Sequence, residues 1–105
     1  MQQIQKVSWS KIAIQSLNST NTFILSLWNT NISDHFLNQI DESISYIKKY
    51  PNIGKRIIRT DIRQLNINKQ VNLFYKIEGD TLKILLIWNN KQNPKDLIRK
   101  ISIIK

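Results

Sequence analysis

Few side chains in this 105-residue chain could carry chemistry. There is no cysteine, so neither a thiolate metal site nor a disulfide framework is available. His35 is the only histidine, and it falls at the start of a helical stretch, far in sequence from any sheet loop. That position reads as solvent-exposed. Asp41 and Glu42 are neighbours on the same stretch and point in different directions, so they do not make an acid–base pair. No glycine-rich phosphate loop and no cluster of metal ligands is present, and no metal or cofactor is expected. Tyr75 could donate a proton, but a period of two places it with Val71, Leu73 and Ile77. Core packing, with the hydroxyl at the rim, accounts for it. Arg63 falls by the same period with Leu65 and Ile67, and a cation on an apolar face needs a partner or a function. Asp61 is the partner at hand.

Charge supplies the next constraint. The net value is +9, distributed unevenly. Residues 1–47 carry two lysines against three carboxylates, −1, whereas residues 48–105 carry fourteen Lys/Arg against four carboxylates, +10. A field so lopsided suits a polyanion or an acidic protein partner. A hydrophobic content of 41% is too high for disorder, and the length fits one domain, residues 1–105. The start lacks an apolar leader, and Phe23 to Trp28 is too short to cross a bilayer. The expectation is a cytoplasmic protein that makes no membrane contact.

The elements that must position these groups follow from periodicity. Gln3 to Trp9 reads as a short strand. From Ser10 the period becomes helical, with Ala13, Leu17, Ile24 and Leu27/Trp28 in a stripe crossed by the polar Thr20 and Asn21. Asn29 to Ile32 reads as a break. Ser33 is the expected N-cap of a second helix with Asp34 in its first turn. Leu37, Ile40, Ile44 and Ile47 form its apolar face, Lys48 and Lys49 suit its end, and Pro51 and Gly54 stop it. Strands follow at 62–68 and 71–77. The tight turn Glu78-Gly79-Asp80 leads to a last strand, 82–88. In that strand Leu82, Ile84, Leu86 and Trp88 fall on one side and Leu85 and Ile87 on the other, so it is buried on both faces. Pro94 ends the pairing, and Leu97, Ile98, Ile101 and Ile104 have helical spacing. Trp9, Trp28 and Trp88 read as core or sheet cover. The class is α+β: a two-helix hairpin packed on a small antiparallel sheet, β-α-α-β-β-β, with a short C-terminal helix or tail.

This order resembles the RelE/ParE family of toxins from type II toxin–antitoxin pairs. The resemblance is carried by Val7-Ser-Trp-Ser with Ala13 and Leu17, by Tyr50-Pro-Asn-Ile-Gly54, and by Ile62-Arg-Gln-Leu65. Leu73-Phe-Tyr-Lys-Ile77, Ile84-Leu-Leu-Ile-Trp88 and Asn89-Asn-Lys-Gln-Asn-Pro94 complete it, in consistent order over residues 4–97. It implies a cytoplasmic growth-inhibiting toxin, held in a hetero-oligomer by a cognate acidic antitoxin, with a role in plasmid stabilisation. It also implies a functional surface near the loop leaving the last strand, for which Arg63, Lys69, Tyr75 and Lys91 are the candidates.

The resemblance allows two mechanisms. RelE-type toxins cleave mRNA on the ribosome without a metal, using a base, an acid and cations around one phosphate. ParE-type toxins bind and poison DNA gyrase, which needs a surface and no catalytic constellation. Lys91 stands where an arginine would be expected, Leu97 where a C-terminal tyrosine would sit, and no histidine follows the last strand. The reading taken is ParE-like action on gyrase, with Arg63, Lys69 and Lys91 as target-binding residues. Cleavage of mRNA by Arg63, Lys69, Tyr75 and Lys91 is the alternative, and a plain basic nucleic-acid-binding domain the third.

Overall fold

A computed structural model describes residues 4–27 and 30–104. The chain runs β1 (Lys6–Trp9), α1 (Lys11–Leu27), α2 (Thr30–Lys49), β2 (Lys55–Arg56), β3 (Arg63–Asn66), β4 (Val71–Glu78), β5 (Thr81–Asn89) and α3 (Pro94–Ile104). The sheet order is β1-β5-β4-β3-β2. Strands β2 to β5 are antiparallel neighbours, and β1 adds in parallel to β5 through the α1–α2 crossover. The two-residue β2 extends the expected order. The expected C-terminal element is a helix.

Helix α1 begins where Ser10 caps it, its Oγ accepting the Ala13 N–H at 3.0 Å. The same hydroxyl donates to the Leu85 carbonyl, and Ser16 Oγ accepts the Ile87 N–H at 2.9 Å. β1 stops pairing at Trp9, opposite Ile84. Beyond that point these α1 hydroxyls satisfy the β5 edge that a strand would otherwise have to cover.

Helix α2 starts at Thr30, so Ser33 lies inside the helix instead of capping it, and Asp34 lies beyond the first turn. Ser33 is buried, and its hydroxyl donates to Asn21 on α1. It shares a face with Phe36, Ile40, Ile44 and Ile47, which explains why a cap-type residue sits mid-pattern. The polar pair Thr20–Asn21 does not interrupt α1: Thr20 is buried and Asn21 bonds across the hairpin. The expected contribution of Trp28 and the first residue of the expected break, Asn29, lie outside the described residues.

The sheet separates two cores. One joins Ala13, Phe36, Ile40 and Ile47 of the helices to Val71, Leu73, Tyr75, Leu82, Ile84 and Ile87. The other packs Ile62, Phe74, Leu85, Leu86 and Trp88 under Leu97, Ile101 and Ile104 of α3. The expected alternation along β5 holds through Leu85 and fails from Leu86. A bulge between Phe74 and Tyr75 pairs Tyr75 with Ile84 but Phe74 with Leu86, leaving Leu85 as the extra residue. Every later side chain changes face, so Leu86 and Trp88 join Leu85 under α3 and Ile87 joins the helix side.

Asn93 and Pro94 start α3 as cap and first helical residue. The Asn93 Oδ1 accepts the Lys95 N–H at 2.9 Å, and Pro94 has no N–H to leave unpaired. Ile98 sits off the apolar face and is 65% exposed.

Candidate functional surface at the loop end of the sheet

The four candidate residues fall into two pairs. Arg63 and Tyr75 are cross-strand partners on β3 and β4. Both are bound to the loop that follows α2. The Tyr75 hydroxyl donates to the Pro51 carbonyl at 2.8 Å and accepts the Gly54 N–H at 2.9 Å. The Arg63 guanidinium donates from Nη1 to the carbonyls of Gly54 at 2.8 Å and Asn52 at 3.3 Å. The partner of Arg63 is thus backbone carbonyl oxygen and not the Asp61 carboxylate. Gly54 is where the loop passes closest: a Cβ there would lie 2.8 Å from both Cε1 and the hydroxyl of Tyr75 and 3.1 Å from the Arg63 Cβ. Burial raises the Tyr75 hydroxyl above its ordinary value of 10.0, outweighing the Gly54 hydrogen bond and the Arg63 charge, which lower it. Its ring is fully buried and its proton is held by Pro51.

Lys69 and Lys91 lie at the opposite end of the sheet. Arg63 faces Tyr75, and Val71, where the Lys69 turn rejoins β4, is four residues away along that strand. At about 3.3 Å per residue the two pairs stand roughly 13 Å apart. Asn68 shapes the turn before Val71, its Oδ1 accepting the N–H groups of Gln70 at 2.8 Å and Val71 at 3.0 Å. It also shortens β3, which ends at Asn66 instead of 68. The Lys91 turn is shaped alike, the Asn89 Oδ1 accepting the Lys91 N–H at 3.0 Å. The Asn90 N–H donates to Gln70 O at 2.6 Å, and Asn72 donates to the Asn90 side chain at 2.8 Å, so the two loops form one rim. Asn72 is buried, and its Oδ1 has no partner among the described residues. Lys69, Lys91 and Lys95 are exposed on this rim, and residues 66–70 and 89–95 contain no carboxylate.

His35 is exposed, as expected, yet it is not remote from the sheet loops. It borders a cavity of about 400 Å³ between the helix hairpin and this rim, whose walls include Lys69, Gln70, Gln39 and Asn89. The Asn68 side chain donates to Gln39 at 3.1 Å and ties α2 to the Lys69 turn. Local sequence gives no sign of this meeting, because α2 and the turn are some thirty residues apart. Leu97 packs into the core under α3. At the other end of the hairpin, Glu78 lies 2.8 Å from Lys76 and 2.7 Å from Lys83. Their hydrogen bonds, Lys76 first, hold its carboxyl down to about 2. Among the described residues no group of three His, Asp or Glu could hold a metal ion, and no helix is long and apolar enough to cross a membrane.

No protein-family model matches the sequence, and no curated protein matches it. Solved structures do match. A chain of the chromosomal ParDE TA system from P. aeruginosa superposes with a TM-score of 0.68 at 16% identity, covering 82% of this chain and 96% of that one. The YoeB/ParE toxin from Agrobacterium tumefaciens gives 0.59 at 15% identity, covering 81% and 98%. The hairpin of helices on a sheet ordered β1-β5-β4-β3-β2 is the RelE/ParE toxin fold.

Proposed function

We propose that this chain is the toxin of a type II toxin–antitoxin pair, and that it arrests growth by binding DNA gyrase in the ParE manner. The toxin role is supported by the fold shared with the ParDE and YoeB/ParE structures over more than four-fifths of the chain. The observation that favours a binding surface over mRNA cleavage is the dispersal of the candidate groups. Arg63 and Tyr75 are bonded to the backbone of residues 51–54, while Lys69 and Lys91 stand at the far end of the sheet. Cleavage needs an acid, a base and cations converging on one phosphate. Lys69 and Lys91, on joined loops free of carboxylates, are the target-binding residues of this reading, and Arg63 contributes by fixing the loop after α2.

The antitoxin of this reading is an acidic segment that folds onto the basic half of the chain, +10 over residues 48–105. Induced expression in a bacterial host tests the pairing. Growth should stop when the chain is expressed alone and resume when the reading frame beside its gene is co-expressed. Unimpaired growth with confirmed soluble expression would overturn the toxin reading.

A further inference from the structure

The cavity beside His35 has the makings of a small-ligand site that adjoins the proposed target surface and shares Lys69 with it. Its floor is apolar, formed by Ile24, Phe36 and Val71. Around it stand donors with no partner among the described residues: the His35 imidazole, the Lys69 ammonium and the amide nitrogens of Gln39 and Asn89. The oxygen of each of these two amides is already engaged, by Asn68 and by the Lys91 N–H, which fixes the orientation of the nitrogens. Among the described residues no carboxylate lines the cavity, and Asp34, next to His35, is not among its walls. A cavity with free donors, a cation and no counter-charge selects an anion. Its volume of about 400 Å³ is at the low end of small-molecule sites and too small for a folded peptide element. The apolar floor adds room for an uncharged body beside the anionic group, and carboxamides can read the edge of a heterocyclic base.

We propose that this cavity binds a nucleotide-sized phosphate ester. The phosphate group lies against Lys69 and His35, and the apolar part of the ligand rests on Phe36 and Val71. Lys69 is common to this site and to the proposed gyrase surface. The cavity, however, lies on the helix side of the sheet and its ligand requires no macromolecule, so failure of either reading leaves the other standing.

Isothermal titration of the full chain with adenosine monophosphate, adenosine and inorganic phosphate tests it, with chemical-shift mapping to place the ligand. Adenosine monophosphate should bind, phosphate more weakly, and adenosine without measurable heat. Shifts should centre on residues 35, 39, 69–71 and 89. Lys69→Ala and His35→Ala should each weaken the monophosphate at least ~10-fold, the scale of losing one charge-assisted hydrogen bond. Both side chains are exposed, so thermal melts should remain at the wild-type midpoint. Lys11→Ala, at the other end of α1, should change nothing. Equal binding of adenosine and its monophosphate, no binding of the monophosphate at millimolar concentration, or an equal loss in Lys11→Ala would each overturn the proposal.

Discussion

Tyr75→Phe keeps a ring that fills the helix-side core and removes one oxygen. That oxygen is the partner of both the Gly54 N–H and the Pro51 carbonyl. Leaving two backbone groups short of a partner should cost about 1–3 kcal/mol, read as a shift of the urea midpoint. Gly54→Ala should act on the same contact, since its Cβ would strike the Tyr75 ring. The wild type should also carry an alkaline limb that the phenylalanine variant lacks. The hydroxyl is raised above 10.0 in the folded chain, so its contribution is complete below pH 10 and is lost as pH rises through the folded value. Equal stability of the two proteins at pH 7, with identical profiles above pH 10, would contradict the assignment. At this scale the sequence was partly legible. Arg63 on an apolar face announces a partner, but that the partner is a carbonyl nine residues upstream depends on how the loop after α2 folds back.

At the scale of elements, the test is the second core. Leu86 is 1% exposed and lies with Phe74 and Trp88 under α3. Leu86→Ala should cost about 2–5 kcal/mol, a large part of the roughly 5–15 kcal/mol a domain holds. Ile98→Ala, on the exposed side of α3, should change stability by less than about 0.5 kcal/mol. Comparable melting of the two variants would contradict the placement of α3 on the sheet. The periods of α1, α2 and α3 could be read from sequence because each helix packs one face. Strand β4 is buried on both faces from Val71 to Tyr75, but its period of two survives because the extra residue of the bulge lies on β5. The faces of β5 could not. Its run from Leu82 to Trp88 is apolar at every position except Lys83, so nothing in the pattern marks Leu85 as a bulge. The start of α2 was hidden differently. Ser33 has the right chemistry for a cap, but its hydroxyl is bonded to Asn21 across the hairpin.

For the whole molecule, charge distribution governs association. With +10 over residues 48–105, binding of an acidic antitoxin should weaken as salt rises, since surface attraction fades beyond about 8–10 Å at physiological ionic strength. Calorimetry of the complex across a salt series measures this. A salt-independent affinity would show that apolar burial carries the interface. The order of elements, and through it the fold, was legible from the sequence. The cavity was not, because α1, α2 and two loops of the sheet each contribute only a residue or a few to it.

The proposal that the chain acts by binding gyrase, without catalysis, is tested most directly by two parallel assays on one pair of proteins. Wild type and Lys69→Ala/Lys91→Ala are compared for gyrase supercoiling and for cleavage of ribosome-bound mRNA. The wild type should inhibit supercoiling and leave mRNA intact. The double variant should inhibit less but measurably, because an interface spreads its energy over several residues. Cleavage of mRNA by the wild type that disappears in the double variant, with supercoiling untouched by either, would contradict the account.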